Sequence, residues 1–164
     1  MARTKVSHKL ACKLSRATLD DLPMLAPLFD AYRVFYRQPS DLAAAHAFLR
    51  ARIEWNESVI FLAKDDKGSA LGFTQLYPCF SSISVGRVWI LNDLYVEARA
   101  RRLGVAQALV KAAHAHAAAT GAVRVTLSTS RDNIQAQRLY ESSGYVLETA
   151  MFDYAFGFPH GNKT

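Results

Sequence analysis

The densest chemistry in the chain lies in Leu91-Asn92-Asp93-Leu94-Tyr95-Val96-Glu97 and the residues that follow, Ala98-Arg99-Ala100-Arg101-Arg102-Leu103-Gly104-Val105-Ala106. The first part reads as a strand apolar on both alternating sets, Val88, Ile90 and Leu94 against Trp89, Leu91 and Tyr95, which places it centrally with both faces covered. The second part is a basic loop that opens into a helix at Gly104. A helix start carries unpaired backbone N–H groups and about half a positive charge. Gly104 lets the backbone approach a ligand closely, and Ala106 is small enough not to block it. With Arg99, Arg101 and Arg102 alongside, these features make a pyrophosphate cradle. The same residues also read as a turn with solvated arginines. The Gly-Lys-Ser/Thr ending of a P-loop and the Gly-x-Gly-x-x-Gly dinucleotide fingerprint are both absent.

Asn92 and Asp93 are polar residues inside an apolar strand. Burying either without a partner costs a few kcal/mol, so each must find one. Asp93 could take a proton, through water, from an incoming ammonium, hold a cationic group, or make a structural bond to nearby backbone. Glu97, just past the strand, reads equally as surface. Further on, Asn133, Ala136 and Tyr140 are spaced i, i+3 and i+7 and share one helix face. A phenol with a pKa near 10 keeps its proton at neutral pH and can donate it; a core tyrosine bonded to a carbonyl is the plainer reading. His8, His46, His114, His116 and His160 are scattered, and Cys12 and Cys79 form neither a disulfide framework nor a zinc spacing. No metal is expected. Ser128-Thr129-Ser130 has no nucleophile elbow around it and reads as a polar strand end.

Arg101-x-x-Gly104-x-Ala106 resembles the Arg/Gln-x-x-Gly-x-Gly/Ala signature of the GNAT superfamily of acetyl-CoA-dependent N-acetyltransferases, after a strand and opening a helix as there. Asn133-x-x-Ala136-x-x-x-Tyr140-x-x-x-Gly144-Tyr145 is similar to that family's later motif, and Asn92 to Val96 resembles its small histone- and polyamine-acetylating branch. The likeness runs from about Ala11 to Phe156. It implies acetyl-CoA as co-substrate, with the pyrophosphate on backbone amides of Arg102, Leu103, Gly104, Val105 and Ala106 and on Arg101. It implies that Leu94, Tyr95 and Val96 offer backbone groups to the pantetheine arm. The Leu94 N–H would face the thioester carbonyl, where negative charge grows during attack. Asn133 would touch the pantetheine while capping its helix, and Tyr140 would protonate the departing thiolate. The implied reaction is direct attack by a primary amine in a ternary complex, with Asp93 beside the amine. The alternative is a CoA-binding regulatory module of the same fold without turnover. Ala106, where many members have glycine, leaves slightly less room for phosphate oxygens.

The elements that must position these residues follow from periodicity. Lys13–Ala17 reads as a strand, Leu19–Phe35 as a helix, and Ser40 or Asp41 opens a second helix to about Asn56. Ser58–Lys64 and Ala70–Tyr77 form a hairpin around Asp65-Asp66-Lys67-Gly68, and Arg87–Val96 is the central strand. A helix from Gly104 to Thr120, a strand Val123–Leu127, a helix Asn133–Ser143 and one or two last strands in Tyr145–Phe156 complete the order. This is an α/β (α+β) chain. The resemblance makes it the GNAT fold, a mixed central sheet of about six or seven strands flanked by about four helices.

Nothing divides the 164 residues, so one N-acetyltransferase domain over 1–164 is expected, with 1–9 as a flexible tail. No apolar run approaches the ~20 residues of a membrane helix, and none follows the basic Met1–Lys9 to make a signal peptide. The expectation is a cytoplasmic protein with reduced thiols and no membrane partner. The net charge of +6 favours an anionic partner. A nucleic-acid binder would spread that charge over one face with stacking aromatics; here several arginines cluster at the cradle, so no nucleic acid is expected. The resemblance implies that the acceptor, a small-molecule amine or a protein lysine, lies between Tyr32–Pro39 and Tyr77–Val85. The resemblance also implies a homodimer formed through C-terminal strands.

Overall fold

The structure, a computed structural model, describes residues 12–158; the expected tail over 1–9 lies outside them. Five strands form one sheet: β1 Lys13–Arg16, β2 Val59–Lys64, β3 Ala70–Ser81, β4 Gly86–Val96 and β5 Arg124–Thr126, in that spatial order. The first four are antiparallel neighbours; β5 joins β4 in parallel after a helical crossover. Four helices flank the sheet: α1 Leu22–Phe35, α2 Leu42–Glu54, α3 Val105–Ala119 and α4 Ile134–Ser142.

The two faces carry separate cores. Ile60, Leu62 and Phe73 of the sheet pack with Leu25, Phe29 and Leu49 of α1 and α2. On the other face Val59, Leu76, Trp89 and Leu91 pack with Val110, Ala113 and Tyr140 of α3 and α4. β4 therefore has both faces covered, as its continuous apolar pattern requires.

Local chemistry sets the element ends. Asp41 begins α2, its carboxylate accepting the Ala44 N–H at 2.9 Å, and Asn133 does the same for α4 through the Ala136 N–H at 3.1 Å. The expected first helix begins as a single 3-10 turn, Leu19–Asp21, before α1. β3 and β4 extend beyond the expected hairpin to Ser81 and Gly86 and project as a ribbon.

One expectation is corrected. The sheet has five strands, not six or seven, because Tyr145–Phe156 forms no strand. An extended segment becomes a strand only when a neighbour takes its backbone N–H and C=O groups. From Val146 to Phe158 the described hydrogen bond is Ala150 N–H to the nearby Glu148 carboxylate. Phe152 is 89% and Tyr154 93% exposed.

Candidate active site

A groove of about 380 Å³ opens where β4 leaves the sheet, between the start of α3, the face of α4 and the end of α1. On its α3 side, Arg102 at φ +61 and Gly104 at φ +86 adopt left-handed backbone on either side of Leu103. Alternation of this kind turns successive N–H groups toward one point and makes an anion-binding concavity. No side chain caps α3, and the first backbone bond to its cap is Ala108 N–H to Gly104 O at 3.0 Å. The N–H groups of Val105, Ala106 and Gln107 are thus left without intrahelical acceptors. All three residues line the groove, with Arg101 and Arg102 beside them. This is a fit for a diphosphate. Arg99, expected to add charge here, instead pairs with Glu97 and Asp65 and donates to Ala70 O at 3.0 Å. Arg101 donates through Nε to Val96 O at 3.0 Å.

On the β4 side a bulge decides which atoms face the groove. Gln75 pairs with Asp93 but Leu76 pairs with Leu91, so Asn92 is the extra residue. The insertion inverts the alternation. Trp89 and Leu91 face α3 before the bulge, and Leu94 and Val96 face it afterwards, while Asp93 and Tyr95 turn to the α1 side. β4 and β5 are paired only across Val88 to Ile90. Glu97 N–H bonds to Leu71 O at 2.9 Å, so by antiparallel alternation the N–H and C=O groups of Leu94 and Val96 point away from β3 into the gap left by β5. The N–H and C=O of Leu94 and the N–H of Val96 are open to an extended ligand running along the strand, while Val96 O is taken by Arg101 Nε.

The α4 face closes the groove with Asn133, Ala136 and Tyr140. Tyr140 is only 9% exposed, and burial pushes its phenol up to about 12, with Tyr36 adding to the effect. It is a proton donor at neutral pH. Its hydroxyl makes no protein hydrogen bond among the described residues. Phe35 and Tyr36 of α1 form the opposite lip.

Across β4 from the groove, Asp93 is 3% exposed. Its carboxylate accepts Gln75 Nε2 at 2.7 Å and Asn92 Nδ2 at 3.1 Å, and the Tyr32 hydroxyl faces it from α1. Burial nevertheless dominates and raises its pKa above the usual carboxylate value. Tyr32 packs edge-on against Tyr36 at 5.0 Å and Tyr95 at 6.5 Å. These rings connect the Asp93 cluster to the lip of the groove.

Of the residues singled out in the sequence, Leu94, Tyr95, Val96, Arg101, Arg102, Gly104, Val105, Ala106, Asn133 and Tyr140 line this one groove. Leu103 is half-buried behind it. Asp93 lies on the opposite face of its own strand. On the expected acceptor side, Tyr32, Phe35, Tyr36 and Tyr77 stay near the site, whereas Phe80 stands out on the ribbon with Arg87 over its ring. Sequence reasoning missed Gln75, which is 0% exposed. Its signal was present: a polar residue in an otherwise apolar strand, between Phe73 and Tyr77 on the same face. Among the described residues no group of three or more His, Cys, Asp or Glu side chains could hold a metal ion, and no helix is long and apolar enough to cross a membrane.

A mixed sheet that parts beside a helix start fitted to a diphosphate is the arrangement expected of a CoA-dependent acyltransferase, and comparison with known proteins agrees on the family. The profile of the Acetyltransferase (GNAT) family matches residues 25–145. An uncharacterised N-acetyltransferase of Bacillus subtilis is 47% identical over 146 residues, spanning 89% of this chain and 97% of that protein. A D-amino-acid N-acetyltransferase of Saccharomyces cerevisiae is 32% identical over 53% of this chain and 54% of its own length. The crystal structure of a probable acetyltransferase superimposes with a TM-score of 0.86 at 46% identity, covering 90% of this chain and 99% of that one. This chain belongs to the GNAT acetyltransferase family. It is an N-acetyltransferase, and acetyl-CoA is its co-substrate.

Proposed function

We propose that the chain acetylates a primary amine, on a small molecule or a protein lysine, by direct attack in a ternary complex. Support comes foremost from one observation: the uncapped start of α3 and the buried, protonated Tyr140 face the same groove, with the free edge of β4 between them. Bound acetyl-CoA supplies an activated acyl thioester. Arg101, Arg102, Leu103, Gly104, Val105 and Ala106 hold its diphosphate through main-chain donors and charge. Leu94, Tyr95, Val96 and Asn133 line up its arm, and the Leu94 N–H stands where negative charge develops on the carbonyl oxygen. Tyr140 gives its proton to the sulfur as the carbon–sulfur bond breaks. Asp93 takes up the proton that the acceptor ammonium must lose, through Tyr32 or a water. No covalent bond to the protein is needed. The likeness to a yeast D-amino-acid N-acetyltransferase favours small amines in the first panel to be tested.

The test is a thiol-release assay with acetyl-CoA across a panel of amino acids, polyamines, aralkyl amines and lysine peptides, run beside calorimetry with CoA. Turnover of at least one amine is expected. CoA binding without turnover of any amine would return the chain to the regulatory-module reading, and failure to bind CoA would sink both.

The same proposal takes the chain as a single catalytic domain over 1–164, cytoplasmic, working as a homodimer. Unpaired cysteines at the surface, such as Cys79, support a reducing location. The exposed apolar C-terminal segment supports the dimer.

A further inference from the structure

The α1 side of the sheet contains a polar chain that packing alone does not explain. Ser58 Oγ donates to Gln75 Oε1 at 2.9 Å, and Gln75 Nε2 donates to Asp93 Oδ2 at 2.7 Å and to the Tyr77 hydroxyl at 3.0 Å. Ser58, Gln75 and Asp93 are all buried. A fully buried amide in a strand costs stability unless each of its groups is paired, and an apolar residue of its size would fill the same space. The Asp93 carboxylate, which only accepts, settles which way the amide points: Nε2 faces it, and Oε1 is left to accept the Ser58 hydroxyl proton.

We propose that Gln75 is a positioning residue for the acetyl-transfer reaction: with its carbonyl oxygen held by Ser58, it holds the Asp93 carboxylate in place and keeps it ionised for the incoming amine. This inference rests on the role proposed above for Asp93. A carboxylate in this pocket is pushed toward its neutral form by burial, and a neutral acid cannot accept a proton. Donors aimed at it work in the opposite direction. Gln75 Nε2 makes a shorter bond to the carboxylate, 2.7 Å, than Asn92 Nδ2 at 3.1 Å. The other groups facing Asp93 are Asn92 of β4 and Tyr32 of α1, with Tyr77 of β3 near enough to feel its charge. Arg52 of α2 acts on Tyr77, and Tyr36 and Tyr140 act on Tyr32. Arg52 is already paired with Glu57 at 2.6 Å. No cation salt-bridges the carboxylate itself among the described residues, so neutral donors carry the task.

Because Gln75 does not touch the CoA groove, its loss has a distinctive signature. In Gln75→Met, CoA affinity and the KM for acetyl-CoA stay at wild-type values. The acidic limb of the pH–rate profile moves to higher pH by about one unit, and kcat recovers as pH rises. Ser58→Ala, which releases the amide oxygen, moves the limb the same way by less. A purely structural role would lower the rate at every pH without moving the limb. Asp93→Asn is the control and is expected to lose activity across the range. If Asp93→Asn is inactive while both other variants keep the wild-type limb, Gln75 has no such role although Asp93 keeps its own. If Asp93→Asn turns over normally, the reading of Asp93 falls and this inference falls with it. Should Gln75→Met fail to bind CoA, the position of the limb in Ser58→Ala decides.

Discussion

Tyr140 and Asp93 are held by their surroundings in opposite roles. Burial makes the phenol a firm proton holder and makes the carboxylate reluctant to be charged. Tyr140→Phe removes the proton while leaving the ring packed, so kcat should fall by about 10²-fold or more, with the KM for acetyl-CoA unchanged; steady-state kinetics at neutral pH checks this. The role proposed for Asp93 has a counterpart in stability. Its folded pKa lies above the unfolded value, so the folded state binds the proton more tightly. Stability from this group is fully present below the unfolded pKa of 3.8 and is lost as pH rises through the folded one. Asp93→Asn has no proton to lose. Its melting temperature should therefore gain on the wild type as pH rises above about 4, by a few degrees for a chain of this size, even as activity disappears. Calorimetric melts at pH 4 and pH 7 measure the difference, and a gap that narrowed with pH would contradict the account.

The start of α3 and the bulge in β4 differ in how openly the sequence announces them. Gly104, Ala106 and the flanking arginines could be read as a cradle because glycine, small residues and charge leave a local pattern. Strand and helix order was legible for the same reason, from periods of two and of three to four residues. The bulge left no such mark. Asn92 is a polar residue in a strand whichever way it faces, and only the pairing of Leu76 with Leu91 shows that it is the inserted one. For this reason Asp93 could not be assigned a face in advance, and Gln75, its partner across the ladder, stayed unseen. Arg99 shows the converse limit, since composition places charge near the cradle but not which acidic neighbours will take it. At Gly104, the φ of +86 gives the element its own test. Gly104→Ala forces a Cβ into left-handed backbone at a cost of about 1 kcal/mol. The turn relaxes and the amides lose their common focus. The KM for acetyl-CoA should rise several-fold while kcat at saturation changes little. A variant with wild-type KM would remove the cradle from this turn.

At the scale of the whole molecule, the open sheet edge and the exposed apolar C-terminal segment are what the proposed dimer would use. β5 offers three residues to β4 and, among the described residues, has no strand on its other side. The chain beyond α4 carries Val146, Leu147, Met151, Phe152, Tyr154, Phe156 and Phe158 with most of their surface in water. The tip of the ribbon adds Phe80, Ile83 and Val85. Exposed apolar side chains in this number support a contact site. An open sheet edge beside an extended segment is a ready template for pairing between chains. The expectation that Tyr145–Phe156 forms strands fails within one chain for want of a ladder partner, and a second copy would supply one. The chain should therefore run as a dimer in light scattering coupled to gel filtration. Ending it at Tyr145, after the Gly144 stop of α4, should give a monomer that still binds CoA, because among the described residues none that lines the groove lies beyond Tyr140. A full-length chain that is monomeric at micromolar concentration, with the segment from Val146 onward resistant to proteolysis, would mean that the segment folds back onto its own sheet instead.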